Sequence, residues 1–157
     1  MAGMKEVYIT SLSEASKTDV EGVGTIRIDR YGNVYRWMQN KTGGDLSQYQ
    51  VGVLHPAASG MTEKVYKAAT SYLSYLAGVA QADIPQDYYG WFLVEGYGTA
   101  KVKGSVDAGD YLVPVNGQLY LGKDGGDTPP TYPRWARVHE TEPGTGVEDL
   151  AVEVHCR

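Results

Sequence analysis

The chain has 157 residues, of which 42% are hydrophobic and 21% charged, and its formal net charge is −5. This length fits a single domain with a true hydrophobic core, and the composition argues against wholesale disorder. The acidic balance, without a cluster of Lys and Arg, excludes the usual electrostatic signature of a nucleic-acid-binding protein, and no apolar run approaches the roughly 18 residues of a membrane span.

Glycine and tyrosine are both abundant, with 20 Gly and 13 Tyr against a single Phe. Glycine at this density indicates many turns. Tyrosine keeps one end of its ring in water, which suits half-buried strands and protein interfaces. The one cysteine, Cys156, allows no internal disulfide, and we interpret it as an incidental thiol.

The chain begins with a segment that holds few large apolar side chains after Tyr8 and Ile9. We interpret residues 1–22 as an N-terminal arm or a loosely attached strand, and residues 23–157 as a single β-rich domain. An arm of this kind can order on binding and add a strand to the sheet edge of a partner.

The first clear element is a β-hairpin. Residues 24–29 and 34–39 alternate with period two, and the residues between them have turn chemistry. Tyr35 and Trp37 fall on one face of the second strand. The arginines of the hairpin are predicted to project outward on its polar side: Arg27, Arg30 and Arg36.

The next part of the chain is less clear. Residues 49–54 predict a short strand that ends at Pro56. Residues 61–76 fit an apolar helical stripe, but their tyrosines and threonines favour a strand. A short helix near residues 62–76 and a strand are both possible interpretations.

From residue 77 onward the pattern is that of β-strands. Strands are predicted around Gly-rich turns at residues 77–80, 88–96, 98–106, 111–115, 118–121, 135–139 and 151–155. Asn116-Gly117 predicts a two-residue hairpin turn. Short strands at intervals of about 8 to 12 residues predict an all-β fold, an antiparallel sandwich or barrel, and no internal repeat of constant period is visible.

No motif identifies an active site, so we expect no enzyme activity, no cofactor and no metal. His55, His139 and His155 lack the spacing of a zinc site. A metal site built on histidine would combine His139 and His155 with one of three nearby acids: Glu140, Glu142 or Glu153. Cys156 lacks a base, because neighbouring strand residues such as His155 point to the opposite face.

Three further possibilities are weaker. A calcium site in residues 124–127 is conceivable, but ordinary Asp-Gly turns explain them better. Trp37, Trp91 and Trp135 could form a sugar-stacking platform, although the alternating positions of the aromatic residues favour burial in a core or an interface. A small hydrolase would require a cleft with converging carboxylates or imidazoles.

The run LAGVAQADIPQDYYGWFLVEG, from Leu76 to Gly96, is similar to a pattern in small structural proteins of tailed phages. In those proteins it is followed by a segment like GSVDAGDYL at residues 104–112. Residues 32–37 and 136–138 also fit, so that the similarity spans about residues 24 to 140. The resemblance implies a capsid decoration (cement) or other head-associated protein, β-rich and often trimeric, without active-site residues.

The expected function is therefore that of a virion structural protein that binds the outer surface of the capsid shell and stabilises it. The major capsid protein is the expected partner, and a homo-oligomer, with a trimer as the expected form, would lie on the capsid surface after assembly in the host cytoplasm. No nucleic-acid or membrane partner is expected. The alternative is a head-fibre, tail or host-glycan-binding module of the virion. The expected interface residues are Tyr8, Ile9, Tyr35, Trp37, Tyr88, Trp91 and Trp135.

Overall fold

The computed structural model describes residues 8–57, 60–69, 76–125 and 134–155. Within these ranges the chain forms eleven strands and no helix, which confirms the predicted all-β class. The strands are β1 (Ala15–Ser16), β2 (Ile26–Ile28), β3 (Val34–Asn40), β4 (Val51–Ala57), β5 (Gly60–Tyr66), β6 (Leu76–Ala80), β7 (Tyr89–Lys103), β8 (Tyr111–Pro114), β9 (Leu121–Lys123), β10 (Ala136–Val138) and β11 (Val147–His155). The same ranges contain no helix long and apolar enough to cross a membrane.

The strands pair into one mixed sheet that closes on itself twice around the long strand β7. One ring of pairings runs from β7 through β3, β5, β4 and β6 back to β7. The other runs from β7 through β11, β10, β8 and β9 back to β7. Only β3–β5 and β7–β9 in these rings are parallel, so the fold resembles two small barrels that share one strand.

The shared strand changes partners near its middle. Residues 89–95 of β7 pair with β3, and residues 95–103 pair with β11. Gly96 lies at the change of partner with φ +110°, and a Cβ there would lie 2.2 Å from the Asn33 side-chain oxygen. The two strands predicted on either side of this glycine are therefore one continuous strand, with the glycine at the point where the partner changes.

Two clusters of buried side chains form the core. One fills the first ring and includes Met38 and Phe92. The other contains Trp37, Trp91 and the side chains inside the second ring. Both faces of β3 and of residues 90–94 of β7 are therefore largely buried, and the alternation along each strand places neighbouring side chains in different clusters.

A unit of bridge, tight turn and strand recurs along the chain. In three copies a buried apolar residue is followed five positions later by the first residue of a strand; these residues are Leu46, Ile84 and Val106. The bridges pair Leu46 with Ile84 and Val106 with Glu142, and Glu142 in turn lies five positions before β11. The turn of each of the three copies has one residue with positive φ: Tyr49, Asp87 and Gly109.

The structure decides one open alternative and corrects two predictions. Of the helix and the strand that were both possible near residues 61–76, residues 60–66 form the strand, while residues 70–75 lie outside the described residues. Strand β4 continues through Pro56, where a register shift against β5 accommodates the missing N–H. The Asn116-Gly117 turn does not join the strands by itself, because Pro114 pairs with Leu121 and leaves a longer connection.

Candidate interaction surface

The N-terminal segment lies across the face of β3 and β7 where two tryptophans meet. The Trp37 and Trp91 rings are 5.3 Å apart, and Tyr8 meets Trp91 edge-on at 5.5 Å between centroids. Trp91 Nε1 donates to Thr10 Oγ1, and Trp37 Nε1 donates to Asp19 Oδ1, both at 2.9 Å. The part of residues 1–22 that the structure describes thus packs on the chain's own domain.

Short contacts fix the path of this segment. Strand β1 pairs with the first two residues of β7. The N–H and the hydroxyl of Thr10 both donate to Glu21 Oε1 at 2.6 Å. Asp19 also accepts from the backbone N–H groups of Gly22 and Val23, so its carboxylate holds the turn that leads into β2. The segment is therefore attached mainly by side chains.

Strand β2 faces the opposite way from the prediction. Arg27 is half-buried, with its guanidinium 4.9 Å from the Tyr8 ring centroid and its Nη1 donating to the Thr10 carbonyl at 3.0 Å. Ile26 and Ile28 on the other face are 46% and 60% exposed. The outward prediction is wrong for Arg27 because the N-terminal segment supplies an aromatic face and a carbonyl oxygen for it.

The other two arginines of the hairpin differ from each other. Arg36 is half-buried, and its Nη1 lies 3.4 Å from a carboxylate oxygen of Glu63 on β5. Its predicted outward position is therefore wrong as well, because β5 brings a carboxylate to its side. Arg30 is exposed, in agreement with its predicted outward position. Its guanidinium lies over the ring of Tyr31.

The outer edge of β2 is open among the described residues, because β2 pairs only with β3. The Trp37 N–H donates to the Thr25 carbonyl, and the Asp29 N–H donates to the Asn33 carbonyl. Hydrogen-bonded pairs alternate in an antiparallel ladder, so the backbone groups of Ile26 and Ile28 point away from β3. The Tyr8 hydroxyl, which donates to the Ile26 carbonyl at 3.1 Å, approaches from that outer side.

Exposed apolar side chains concentrate in the same region. Of the eight large hydrophobic side chains that are exposed within the described ranges, five lie between residues 9 and 31: Ile9, Val23, Ile26, Ile28 and Tyr31. We call Ile26, Ile28 and Tyr31, together with the open strand edge, the β2 edge patch. An unpaired edge flanked by apolar side chains is the kind of surface that binds a further strand.

The predicted interface residues fall into two groups. Four of them are at most 6% exposed and belong to the chain's own core: Tyr35, Trp37, Trp91 and Trp135. These rings offer no surface to a partner in this structure, and for the same reason the three tryptophans form no sugar-stacking platform. Ile9 is exposed, and Tyr8 and Tyr88 are half-buried, so for these three the interface assignment stays a prediction.

Three of the side chains considered for a metal site lie close together. His139 Nε2 and His155 Nε2 lie 3.8 and 3.6 Å from the two oxygens of Glu153. Glu140 and Glu142 instead accept hydrogen bonds from backbone N–H groups. Within the described ranges no group of three or more His, Cys, Asp or Glu is placed to hold a metal.

Two other sequence features fall partly outside the described ranges. Asp124 lies 3.8 Å from Arg134, whereas Asp127, the other end of the conceivable calcium loop, is not among the described residues. Cys156 is not among them either, so its interpretation as an incidental thiol stays a prediction. His55 lies beside the ring of Tyr66 at 5.5 Å between centroids.

Two groups beside the β2 edge patch, Asp29 in the turn and Tyr35 on β3, have shifted pKa values. Burial, together with the nearby Asp29 carboxylate, raises the pKa of Tyr35 to about 12. Burial also acts to raise the pKa of Asp29, but hydrogen bonds from Asn33, Tyr31 and Tyr35 outweigh it and lower that pKa. The lowered Asp29 pKa stabilises the fold above pH 3.8, and this contribution is lost as the pH falls further.

We expect the free energy of unfolding to fall as the pH rises from 10 to 12, because Tyr35 ionises near pH 10 when unfolded and near pH 12 when folded. The shift corresponds to on the order of 2 kcal/mol, fully present below pH 10 and lost by pH 12. Urea unfolding of the wild type and of Tyr35→Phe across this range measures it. The Phe variant should show the smaller decrease, and equal slopes would contradict the assignment.

No family model matches the chain, and no curated protein matches it. Among the described residues, the surface feature most suited to binding is the β2 edge patch, an unpaired strand edge flanked by exposed apolar side chains.

Proposed function

We propose that this chain is a virion structural protein, a capsid decoration (cement) protein that binds the outer surface of the capsid shell and stabilises it. The proposal starts from the similarity of residues 76–96 and 104–112 to the pattern in tailed-phage structural proteins. The single observation that carries it is the β2 edge patch, where three exposed apolar side chains lie beside a strand edge that is unpaired among the described residues. An apolar strand edge favours aggregation unless a partner covers it, so its presence supports a binding role.

The body behind this edge suits a mechanical role. Each ring of strands closes on itself, and the two rings share β7. Closure leaves few free edges, so deformation of a ring requires ladder hydrogen bonds to break. A protein that braces a shell against internal pressure needs such a scaffold behind a small binding surface.

The major capsid protein is the partner in this proposal, and the chain acts as a homo-oligomer, a trimer in its expected form, on the capsid surface. The net charge of −5 favours solubility before the chain reaches the shell. The host-glycan alternative was based on a platform of the three tryptophans, and these rings are buried; the exposed aromatic rings of the described residues are Tyr31, Tyr97 and Tyr111. The burial of the tryptophans removes the platform that the glycan-binding alternative was based on.

The test uses shells assembled from the major capsid protein of the same virus, without this chain. Purified chain is expected to sediment with these shells at a saturating number of copies, and to raise the temperature at which the shells dissociate by several degrees, since a bound partner stabilises the state it binds. Shells of an unrelated phage serve as the control. Failure to sediment with the cognate shells at micromolar concentration would contradict the proposed function.

A further inference from the structure

We propose, building on the function proposed above, that the β2 edge patch binds one extended segment of the capsid protein, which pairs with β2 as an added strand. The outer edge of β2 offers backbone groups for such pairing, although its Ile26 carbonyl already accepts the Tyr8 hydroxyl at 3.1 Å. The backbone N–H of Trp37 donates to the Thr25 carbonyl, and the Asp29 N–H donates to the Asn33 carbonyl. Because residues alternate along the strand, the backbone N–H and C=O groups of Ile26 and Ile28 point away from β3.

The side chains around the edge define the chemistry of the segment. Ile26 and Ile28 project from one face of β2, and Arg27 projects from the other, where Tyr8 and Thr10 hold it. An added strand sets its side chains beside those of its neighbour on each face. The incoming segment must therefore present apolar side chains at alternate positions on the isoleucine face.

The charge at one end of the patch adds a preference. Arg30 is exposed, and its guanidinium lies 4.7 Å from the Tyr31 ring centroid, at the turn that follows β2. A guanidinium held over a ring in this way is ready to bind a carboxylate. We therefore expect an Asp or Glu just beyond the apolar positions of the capsid segment.

The size of the patch favours a short segment over a second copy of this chain. Strand β2 spans only Ile26–Ile28, and Tyr31 is the one further side chain of the patch. A stable interface between two folded chains usually buries about 800 Å² on each side, more than these three side chains expose. A single added strand needs far less area, because backbone hydrogen bonds supply part of its affinity.

The experiment compares shell binding by four proteins. Ile26→Thr combined with Ile28→Thr keeps β-forming side chains but removes the apolar surface. Ile28→Pro removes an outward N–H that β3 does not use, a position where an edge strand tolerates proline. Val147→Thr removes an exposed apolar side chain, 41% exposed, at the start of β11 and is the matched control. Thermal unfolding verifies that each variant is folded. If the proline variant is not folded, the Ile26→Thr and Ile28→Thr pair alone tests the inference.

We expect at least tenfold weaker shell binding for the Thr pair and for Ile28→Pro, unchanged binding for Val147→Thr, and slower hydrogen exchange at the Ile26 and Ile28 amides on shells. If the wild type binds shells and the β2 variants bind equally well, the docking inference is wrong and the proposed function stands. If the variants lose self-association, and shell binding falls only to the same extent, then the β2 edge patch binds a second copy of this chain and the docking inference is wrong. If the wild type does not bind shells at all, both proposals fail.

Discussion

The Asn40→Ala variant is expected to lose about 3 kcal/mol of unfolding free energy, since removal of a buried amide leaves several polar partners unsatisfied. Asn40 is fully buried at the end of β3. Its Nδ2 donates to the carbonyls of Ile84 at 2.7 Å and Gly44 at 2.9 Å. Its Oδ1 accepts from both the N–H and the hydroxyl of Thr42. Every hydrogen-bonding position of the amide in its described surroundings is therefore used.

Urea unfolding at neutral pH measures this effect. Asn40→Asp should be at least as destabilising, because a carboxylate would face two carbonyl oxygens that now receive hydrogen bonds. Asn116→Ala, in an exposed turn, is the matched control and should change stability by less than about 0.5 kcal/mol. An Asn40→Ala variant as stable as this control would show that the network contributes little.

The sequence did not single out Asn40, and the reason is general. It begins a run, Asn-Lys-Thr-Gly-Gly-Asp, that has the composition of a solvated loop. What buries it is non-local: the Ile84 carbonyl and the Tyr88 carbonyl, which accepts from the Asn40 N–H, lie more than forty residues along the chain. Composition describes a residue's neighbours in sequence, whereas burial depends on its neighbours in space.

Alternation predicted the hairpin and the shared face of Tyr35 and Trp37, because both depend on local backbone geometry. It did not predict which face of β2 is buried. An alternating pattern shows only that the two faces of a strand differ. The apolar side chains of Ile26 and Ile28 then suggested that this face of β2 is the buried one. The structure reverses this because Tyr8 and Thr10 cover Arg27, and no pattern within β2 contains that information.

The recurring bridge-and-turn unit shows the same limit at a larger scale. The copies at Leu46, Ile84 and Val106 share one apolar side chain and a turn, but no residue is identical in all three copies. Their likeness is in backbone hydrogen bonds: Gln50, Tyr88 and Asp110 each donate to the carbonyl three residues before. A search for repeated residues misses a repeat that consists of backbone hydrogen bonds. The spacing of five positions between an apolar residue and a strand is the signal that was available.

Deletion of residues 2–20 is expected to destabilise the chain by about 4 kcal/mol, whether or not this segment touches a partner. The deletion removes the acceptors of two buried indole N–H groups, Thr10 for Trp91 and Asp19 for Trp37. It also uncovers the ring of Trp91 that Tyr8 contacts. A red shift of tryptophan fluorescence and a lower urea midpoint would measure the change, and an unshifted spectrum would contradict it.

A shorter deletion separates the two roles that the arm could have. Removal of residues 2–7 leaves Tyr8, Thr10 and Asp19 in place, so it should cost less stability than deletion of residues 2–20. Asp19→Ala should lower the free energy of unfolding by about 2 kcal/mol, because it leaves the indole N–H of Trp37 without its acceptor. Asp19→Asn keeps an acceptor oxygen and should lower it less. If deletion of residues 2–7 abolishes shell binding without loss of stability, the arm itself reaches the partner. If only the longer deletion abolishes binding, the segment acts by holding Arg27 and the tryptophan pair in place, and thereby the β2 edge that the partner meets.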